Sequence, residues 1–398
     1  MIHKPFRITG VGCALADFLY TNVQFHSQGF RNYHSKTSGD GGLSPGKLVF
    51  TEELEHFGGK PYSNILKEII GNTKPDSFNI GGPALVSLIH AAQLLPTAQF
   101  ETAYYGCVGN DTTGKQIFEM LQKTPLNTKN YITVDGAATA NTDVLSDTGY
   151  DNGQGERTFI NNIGASWSYT PALMPHTFFD ARIVCFGGTS LVPTIHDHLT
   201  SLLQKAKTLG CATVVNTVYD FRNEKKNPNK PWPLGNSEQS FPLIDLLIMD
   251  AEEALKISGQ SNLNDAGNFF CKNVKSFIIT NGSKDLMVCS KGGIFNELPL
   301  ATYPVCSHVL TTLANNPELK GDTTGCGDNF AGGIIASLAM QMQAADNERY
   351  SLEEALCWGV ASGGFACFYK GGTYFEQLAS EKLQKVTFYR NKYIEQIG

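Results

Sequence analysis

The chain has 398 residues, of which 41% are hydrophobic and 17% charged, and a formal net charge of −6. That length suits one large α/β domain with an appendage, or two domains. The acidic balance disfavours a broad nucleic-acid footprint, and no apolar segment approaches a membrane-spanning length.

Lys4 and Arg7 precede an apolar run, but Asp17 interrupts it, and Gly10 and Gly12 suit a strand and turn better than a leader. The ten cysteines include no Cys-x-x-Cys pair, and most lie in apolar runs. Reduced thiols, a reducing compartment and a cytoplasmic location are expected rather than zinc.

In chain order, apolar runs predict strands at Ile8–Val11, Thr102–Val108, Ile183–Phe186, Thr213–Val215, Leu246–Met249, Phe277–Thr280 and Leu286–Cys289. Helical patterns fall at Ala84–Leu95, Gly114–Gln122, Ile195–Leu209, Ala251–Ser258, Asn264–Lys272, Phe330–Met342 and Leu352–Tyr369. This alternation predicts a largely parallel sheet covered by helices. Residues 18–80 break the alternation, and a stretch that long inside a compact domain is usually functional or a separate small element. Residues 128–165 are also rich in strand and turn signals, with a turn at Tyr150–Gly155, and 223–239 read as a proline-containing loop.

The densest signal is Gly321-Asp322-Thr323-Thr324-Gly325-Cys326-Gly327-Asp328-Asn329-Phe330-Ala331-Gly332-Gly333. Gly325 and Gly327 can adopt positive φ and turn backbone N–H groups towards one point. The helix that follows adds the positive end of its dipole there, which makes a socket for an anion. Asp328 stands where that socket opens. A carboxylate beside an anion cradle suits phosphoryl transfer to an alcohol, because it can accept the hydroxyl proton. Helix capping and turn chemistry account for an isolated Gly-x-Gly-Asp, but not for the whole string.

That string resembles the C-terminal signature of the ribokinase-like, PfkB-type carbohydrate and nucleoside kinases, usually Asp-Thr-Thr-Gly-Ala-Gly-Asp-x-Phe. Cys326 stands at the Ala position, where the backbone N–H is retained. Gly81-Gly82 before a helix resembles the N-terminal signature of the same kinases. Their frequent Asn three residues after the second glycine is Leu85 here, which removes one clue to substrate identity. Asp17, just beyond the first strand, lies where open α/β sheets bind ligands and resembles the family's substrate-binding Asp. Asp250-Ala251-Glu252-Glu253 resembles the Asn-x-x-Glu motif that organises magnesium through water, with Asp250 replacing Asn. Thr280-Asn281-Gly282 resembles the start of the family's nucleotide loop, and Asn216 part of its phosphate-side segment.

Two decoys are set aside. Gly109–Gln116 nearly fits a Walker A loop, but Gln116 cannot supply the hydroxyl for magnesium. Gly10-Val11-Gly12 lacks the third glycine of a dinucleotide fingerprint, since Leu15 stands there. His196 and His198 diverge on one helix and are not read as a metal pair.

The resemblance implies an α/β fold, a ribokinase-like three-layer α/β/α sandwich with a mainly parallel central sheet and a small β-sheet lid. Residues 1–17 and 81–398 would form the core and 18–80 the lid and insertion, with 128–145 a further source of lid strands. It also implies transfer of the ATP γ-phosphate to a primary hydroxyl of a sugar-like molecule. Asp328 would be the base; Gly325, Cys326 and Gly327 the anion hole; and Asp17, Gly81 and Gly82 the substrate contacts. Asn216, Thr280 and Gly282 would meet ATP, and Asp250 and Glu253 would hold Mg2+ through water. A monovalent cation is a further candidate, as is a homodimer paired through the lid; neither nucleic acid nor membrane is an expected partner. The alternatives are an adenosine-like nucleoside kinase on the same fold, whose base Phe25, Phe30, Tyr33 and Tyr62 could stack on, and a non-catalytic ligand-binding relative.

Overall fold

Apolar runs ending in Gly, Asn or Asp set most of the strands. In the computed structural model, described for residues 4–37, 39–153, 155–321, 323–344 and 349–398, fourteen strands form two sheets. They are β1 Phe6–Gly12, β2 Leu15–Tyr20, β3 Leu48–Phe50, β4 Ser77–Gly81, β5 Phe100–Gly109, β6 Asn127–Val134 and β7 Asn141–Asp147. The remainder are β8 Glu156–Asn162, β9 Ile183–Gly187, β10 Ala212–Asn216, β11 Leu246–Asp250, β12 Ser276–Asn281, β13 Lys284–Ser290 and β14 Leu298–Tyr303. The larger sheet has the order β14-β13-β12-β11-β10-β9-β1-β5-β6, antiparallel only at its β12-β13-β14 edge. The smaller sheet runs β3-β8-β7-β2-β4.

The central strands are buried on both faces, which is why they read as continuous apolar runs. One face is covered by the helices Pro83–Leu94, Cys326–Ala344 and Leu352–Ala366. The first is mostly apolar and is buried along nearly its whole length. These helices approach to backbone contact through glycine. A Cβ on Gly332 would lie 2.5 Å from the Ser87 carbonyl oxygen, and one on Gly333 2.4 Å from Ser362 Oγ.

The local detail departs from the sequence pattern in places. Ile195–Leu209 is two helices, Pro193–His196 and Leu199–Thr208. At the break, the His198 ring lies 2.8 Å from the Thr194 carbonyl oxygen, a side chain competing for a helical acceptor. Residues 127–134 pair with β5 in the larger sheet, whereas 141–147 enter the smaller one. Tyr150–Gly153 is a short helix, and Glu381–Ile397 forms a C-terminal helix that no sequence signal singled out.

The smaller sheet has a hydrophobic cluster of its own, closed by the helices Thr51–Gly58 and Tyr62–Ile70. Phe25, Phe30 and Tyr33 are buried in it, with the Phe25 and Phe30 rings stacked at 4.4 Å. The Tyr62 hydroxyl donates to Asp143 at 2.6 Å. These aromatics are therefore packing residues, not an exposed platform for a base. Phe30→Ala is expected to lower stability by about 3–5 kcal/mol through the cavity it leaves, read from chemical denaturation.

Candidate active site

The site is built where the carboxyl ends of β1, β10, β11 and β12 face the start of the Cys326–Ala344 helix. Beyond β1 the chain turns at Gly12-Cys13. The Tyr104 hydroxyl donates to the Gly12 carbonyl oxygen at 2.8 Å, and the Cys13 N–H donates to Gly187 O at 2.9 Å. The Cys13 carbonyl accepts from the Ala84 and Leu85 N–H groups at 3.2 and 3.3 Å, which fixes the start of the Pro83–Leu94 helix. Gly82 has φ +96°, and a Cβ there would lie 2.6 Å from that carbonyl oxygen. The diglycine thus packs the start of this helix against the end of β1. Leu85 is fully buried in the core, so the frequent family Asn is replaced here by a packing residue.

Asp17 lies on β2 against Gly81, where a Cβ would come within 2.2 Å of Asp17 Oδ2. Its register partners are Asn79 of β4 and Thr142 of β7, and Thr142 is paired in turn with Asn161 of β8. Asn161 Nδ2 donates to Thr142 Oγ1 at 2.9 Å. Because strand side chains alternate, Asn79, Asp17, Thr142 and Asn161 form one polar row on the face opposite Tyr20, Leu145 and Ile160. Asn79 also touches the chain near Gly371, where a Cβ would lie 2.6 Å from Asn79 Cγ.

In the anion turn, Gly325 has φ +74°, and a Cβ there would lie 2.5 Å from Gly372 Cα. No other residue type fits this position without strain. The Cys326 N–H donates to Thr323 O at 3.3 Å and the Asn329 N–H to Gly325 O at 2.8 Å. Gly327 is exposed, with open space where a Cβ would stand. Asp322 lies outside the described residues. Asp328 occupies the first helical turn, and burial pushes its carboxyl up to about 7. The buried Cys13 thiol is pushed up as well, first by burial and then by the charges of Asp328 and Asp17. Both acids therefore lie near Cys13. From the smaller sheet, Arg157 Nη1 donates to Thr324 Oγ1 at 3.4 Å.

On the other flank, Asp250 and Glu253 form a reciprocal helix cap: Asp250 Oδ1 accepts the Glu253 N–H at 2.8 Å and Glu253 Oε2 the Asp250 N–H at 3.0 Å. Thr217 Oγ1 also donates to Glu253, at 2.6 Å. Burial raises the Glu253 carboxyl, and the charges of Asp250 and Asp328 raise it further. Asp250 pairs with Thr280 across β11 and β12. Asn216, at the end of β10, buries an Oδ1 that has no hydrogen-bond partner among the described residues. Gly282 sits in the tight turn between β12 and β13, at φ +60° with open space around it. Asp111, in the decoy loop, accepts from the N–H groups of Gly114 and Thr139, both at 2.7 Å, and is structural.

A sequence profile described as pfkB family carbohydrate kinase matches residues 60–378. The chain belongs to the pfkB carbohydrate kinase family. Fructokinase-2 of Oryza sativa subsp. japonica is 26% identical over 283 residues, covering 68% of this kinase and 75% of that protein. Adenosine kinase from Schistosoma mansoni in complex with 2-fluoroadenosine superposes with TM-score 0.68 at 16% identity, over 93% of this chain and 97% of that one. A Thermotoga maritima ribokinase gives 0.61 at 16% identity, over 97% and 99%. At such identities the solved structures show the ribokinase-like fold alone. Membership makes this protein a phosphotransferase acting on a sugar or nucleoside, with ATP as donor and typically Mg2+. No helix among the described residues is long and apolar enough to cross a membrane.

Asn79, Thr142, Asn161 and Arg157 carry no local sequence signal that marks them as candidates for this site. The first three share a face only because β4, β2, β7 and β8 pair in this register, and no local pattern marks that. Arg157 sits far along the chain from the turn it reaches.

Proposed function

We propose that the protein is an ATP-dependent kinase that phosphorylates a primary hydroxyl of a sugar or sugar-like molecule. The observation that carries this is the Asp328 carboxyl, partly buried in the first turn of a helix behind Gly325 and Gly327. Its raised proton affinity suits a base that takes the hydroxyl proton as the oxygen attacks. Backbone N–H groups of Gly325, Cys326, Gly327 and Asp328 would hold the charge on the transferring phosphoryl group, the Cys326 N–H exchanging its long bond to Thr323 for a phosphate oxygen. Arg157 would bring a guanidinium to that group from the smaller sheet, which we read as a lid.

Asp17 and Asn79 would accept from and donate to acceptor hydroxyls, with Thr142 and Asn161 continuing the polar row and Gly81-Gly82 acting as the hinge. Asn216, Thr280 and Gly282 would border ATP. Mg2+ fits beside Asp250 and Glu253: their mutual repulsion, which the Asp328 charge increases, is relieved by a divalent cation. It would neutralise phosphate charge, with water between it and these carboxylates.

A nucleoside acceptor is the second reading. On the same face as Asp17, one step along the strands, Leu19, Val144 and Phe159 lie in register and offer an apolar row for a base. Release of ADP from ATP with a panel of aldoses, ketoses and nucleosides separates the two. Turnover with a free sugar supports the first reading, and turnover with nucleosides alone replaces it by the second. If no alcohol in the panel stimulates release, both fail.

The pH dependence follows from Asp328. Its carboxylate form accumulates as pH rises through about 7. kcat/KM is therefore expected to climb between pH 5.5 and 8, by about tenfold per unit on the acid limb if one proton controls it. A rate independent of pH across that range rules out Asp328 as the base.

A further inference from the structure

Behind the anion turn lies a lysine that the chemistry above does not use. Lys382, on the Glu381–Ile397 helix, is fully buried. No carboxylate among the described residues pairs with its Nζ. That atom donates to Gln93 Oε1 at 2.9 Å and to Asn329 Oδ1 at 3.0 Å, and lies 5.8 and 6.0 Å from the ring centres of Tyr369 and Tyr374. An ammonium has three donors and no acceptor, so two amide oxygens and two aromatic faces are fitting surroundings. Burial costs the amine much of its proton affinity and lowers it to about 7.

The partner explains why such a group stands here. Asn329 directly follows Asp328, and its Nδ2 donates to Gly325 O and to Gly372 O, both at 2.8 Å. It clasps the anion turn to the loop at Gly371-Gly372. An amide can rotate half a turn and exchange its oxygen and nitrogen. The Tyr369 hydroxyl donates to the same amide oxygen at 3.0 Å. The two carbonyls oppose such a rotation, since it would set the amide oxygen against both, and the Lys382 ammonium, which has no acceptor, adds a further opposition while it is protonated, below about pH 7.

We propose that Lys382 is a positioning residue for phosphoryl transfer, which holds the Asn329 amide in the one orientation that clasps Gly325 to Gly372 and so fixes the anion hole. The proposal rests on the kinase activity inferred above. A 1 Å misplacement of catalytic groups can cost roughly 10²-fold in rate. The loss should fall on kcat, since ATP and acceptor are held elsewhere.

The test uses the full-length protein. In Lys382→Met, kcat is expected to fall by about tenfold or more while both KM values stay within about threefold. The melting temperature should stay within about 5 °C of wild type. In Lys382→Ala, ammonium or methylammonium should restore part of kcat, whereas sodium chloride at equal ionic strength should not. A further readout does not need the acceptor: thermal stabilisation by Mg2+, ADP and aluminium fluoride, a mimic of the phosphoryl group in flight, should shrink in Lys382→Met while that by ADP alone is kept. If Lys382→Met does not fold, Gln93→Leu removes the other acceptor of the ammonium and should lower kcat in the same selective way.

Wild-type kcat in Lys382→Met, or in Gln93→Leu where that variant stands in, overturns the proposal. So does a fall in kcat and melting temperature together without rescue by amines. Where wild type turns over but the variant is unaffected, only this proposal fails. Where wild type phosphorylates nothing, the proposed function fails, and the aluminium fluoride comparison still decides for or against Lys382.

Discussion

Asp328→Asn is expected to lower turnover by roughly 10²–10⁴-fold while leaving ATP binding largely intact, because it removes the base and keeps the shape of the turn. The sign of its effect on stability is the opposite. A carboxyl whose proton affinity is raised on folding contributes stability that is complete below its unfolded value near 4 and is lost as pH rises through about 7. At pH 8 the native protein holds a partly buried carboxylate, which the amide replaces without charge. The variant should therefore be as stable as wild type at pH 8, or more so, and kinetics with melting curves on one preparation read both effects. Near-normal turnover in Asp328→Asn would remove the base from the mechanism.

Gly325→Ala carries the second large effect, and here rate and stability fall together. The residue sits at φ +74°, and its new methyl carbon would lie 2.5 Å from Gly372 Cα, a backbone atom that cannot swing aside. Left-handed backbone at a non-glycine residue costs of order 1–3 kcal/mol, and relief of the clash displaces one wall of the turn. Loss of a single well-aligned donor in an anion hole costs about 10²–10³-fold in kcat. A comparable loss is expected here, with a lower melting temperature. The nearby Gly327→Ala is the control: nothing stands within 4 Å of its Cβ position, so it should fold normally.

These residues differ in how they could be found. The alternation of strands and helices was legible because β9, β10 and β11 are buried on both faces and are therefore mostly apolar. The anion turn was legible because its chemistry lies within one short segment. Gly81 and Gly82 were visible for the same reason, although only the structure shows the Cys13 carbonyl that Gly82 must clear.

What stayed hidden depends on pairing between distant segments. β3 has three residues, too short for a pattern, and it becomes a strand by pairing with β8. The polar row through Asp17 exists only in the observed register; a slip of one residue would turn each of its members to the other face. Lys382, within Glu381-Lys382-Leu383-Gln384-Lys385, reads like any solvent-facing lysine. Its burial follows from where the last helix docks. Glu253 shows a third case, in which the same bonds serve a helix cap and leave a carboxylate beside Asp328.

The smaller sheet encloses a hydrophobic cluster distinct from the two that flank the larger one. A layer with its own apolar interior can tilt about a joint without dissolving, since the contacts that hold it together travel with it. It can also open alone. Its amides, on β2, β7 and β8, should exchange with solvent deuterium as one cooperative group, ahead of those on β9, β10 and β11. An acceptor bound as proposed, against Asp17 and Asp328, would bridge the two layers and should slow exchange in that group most of all.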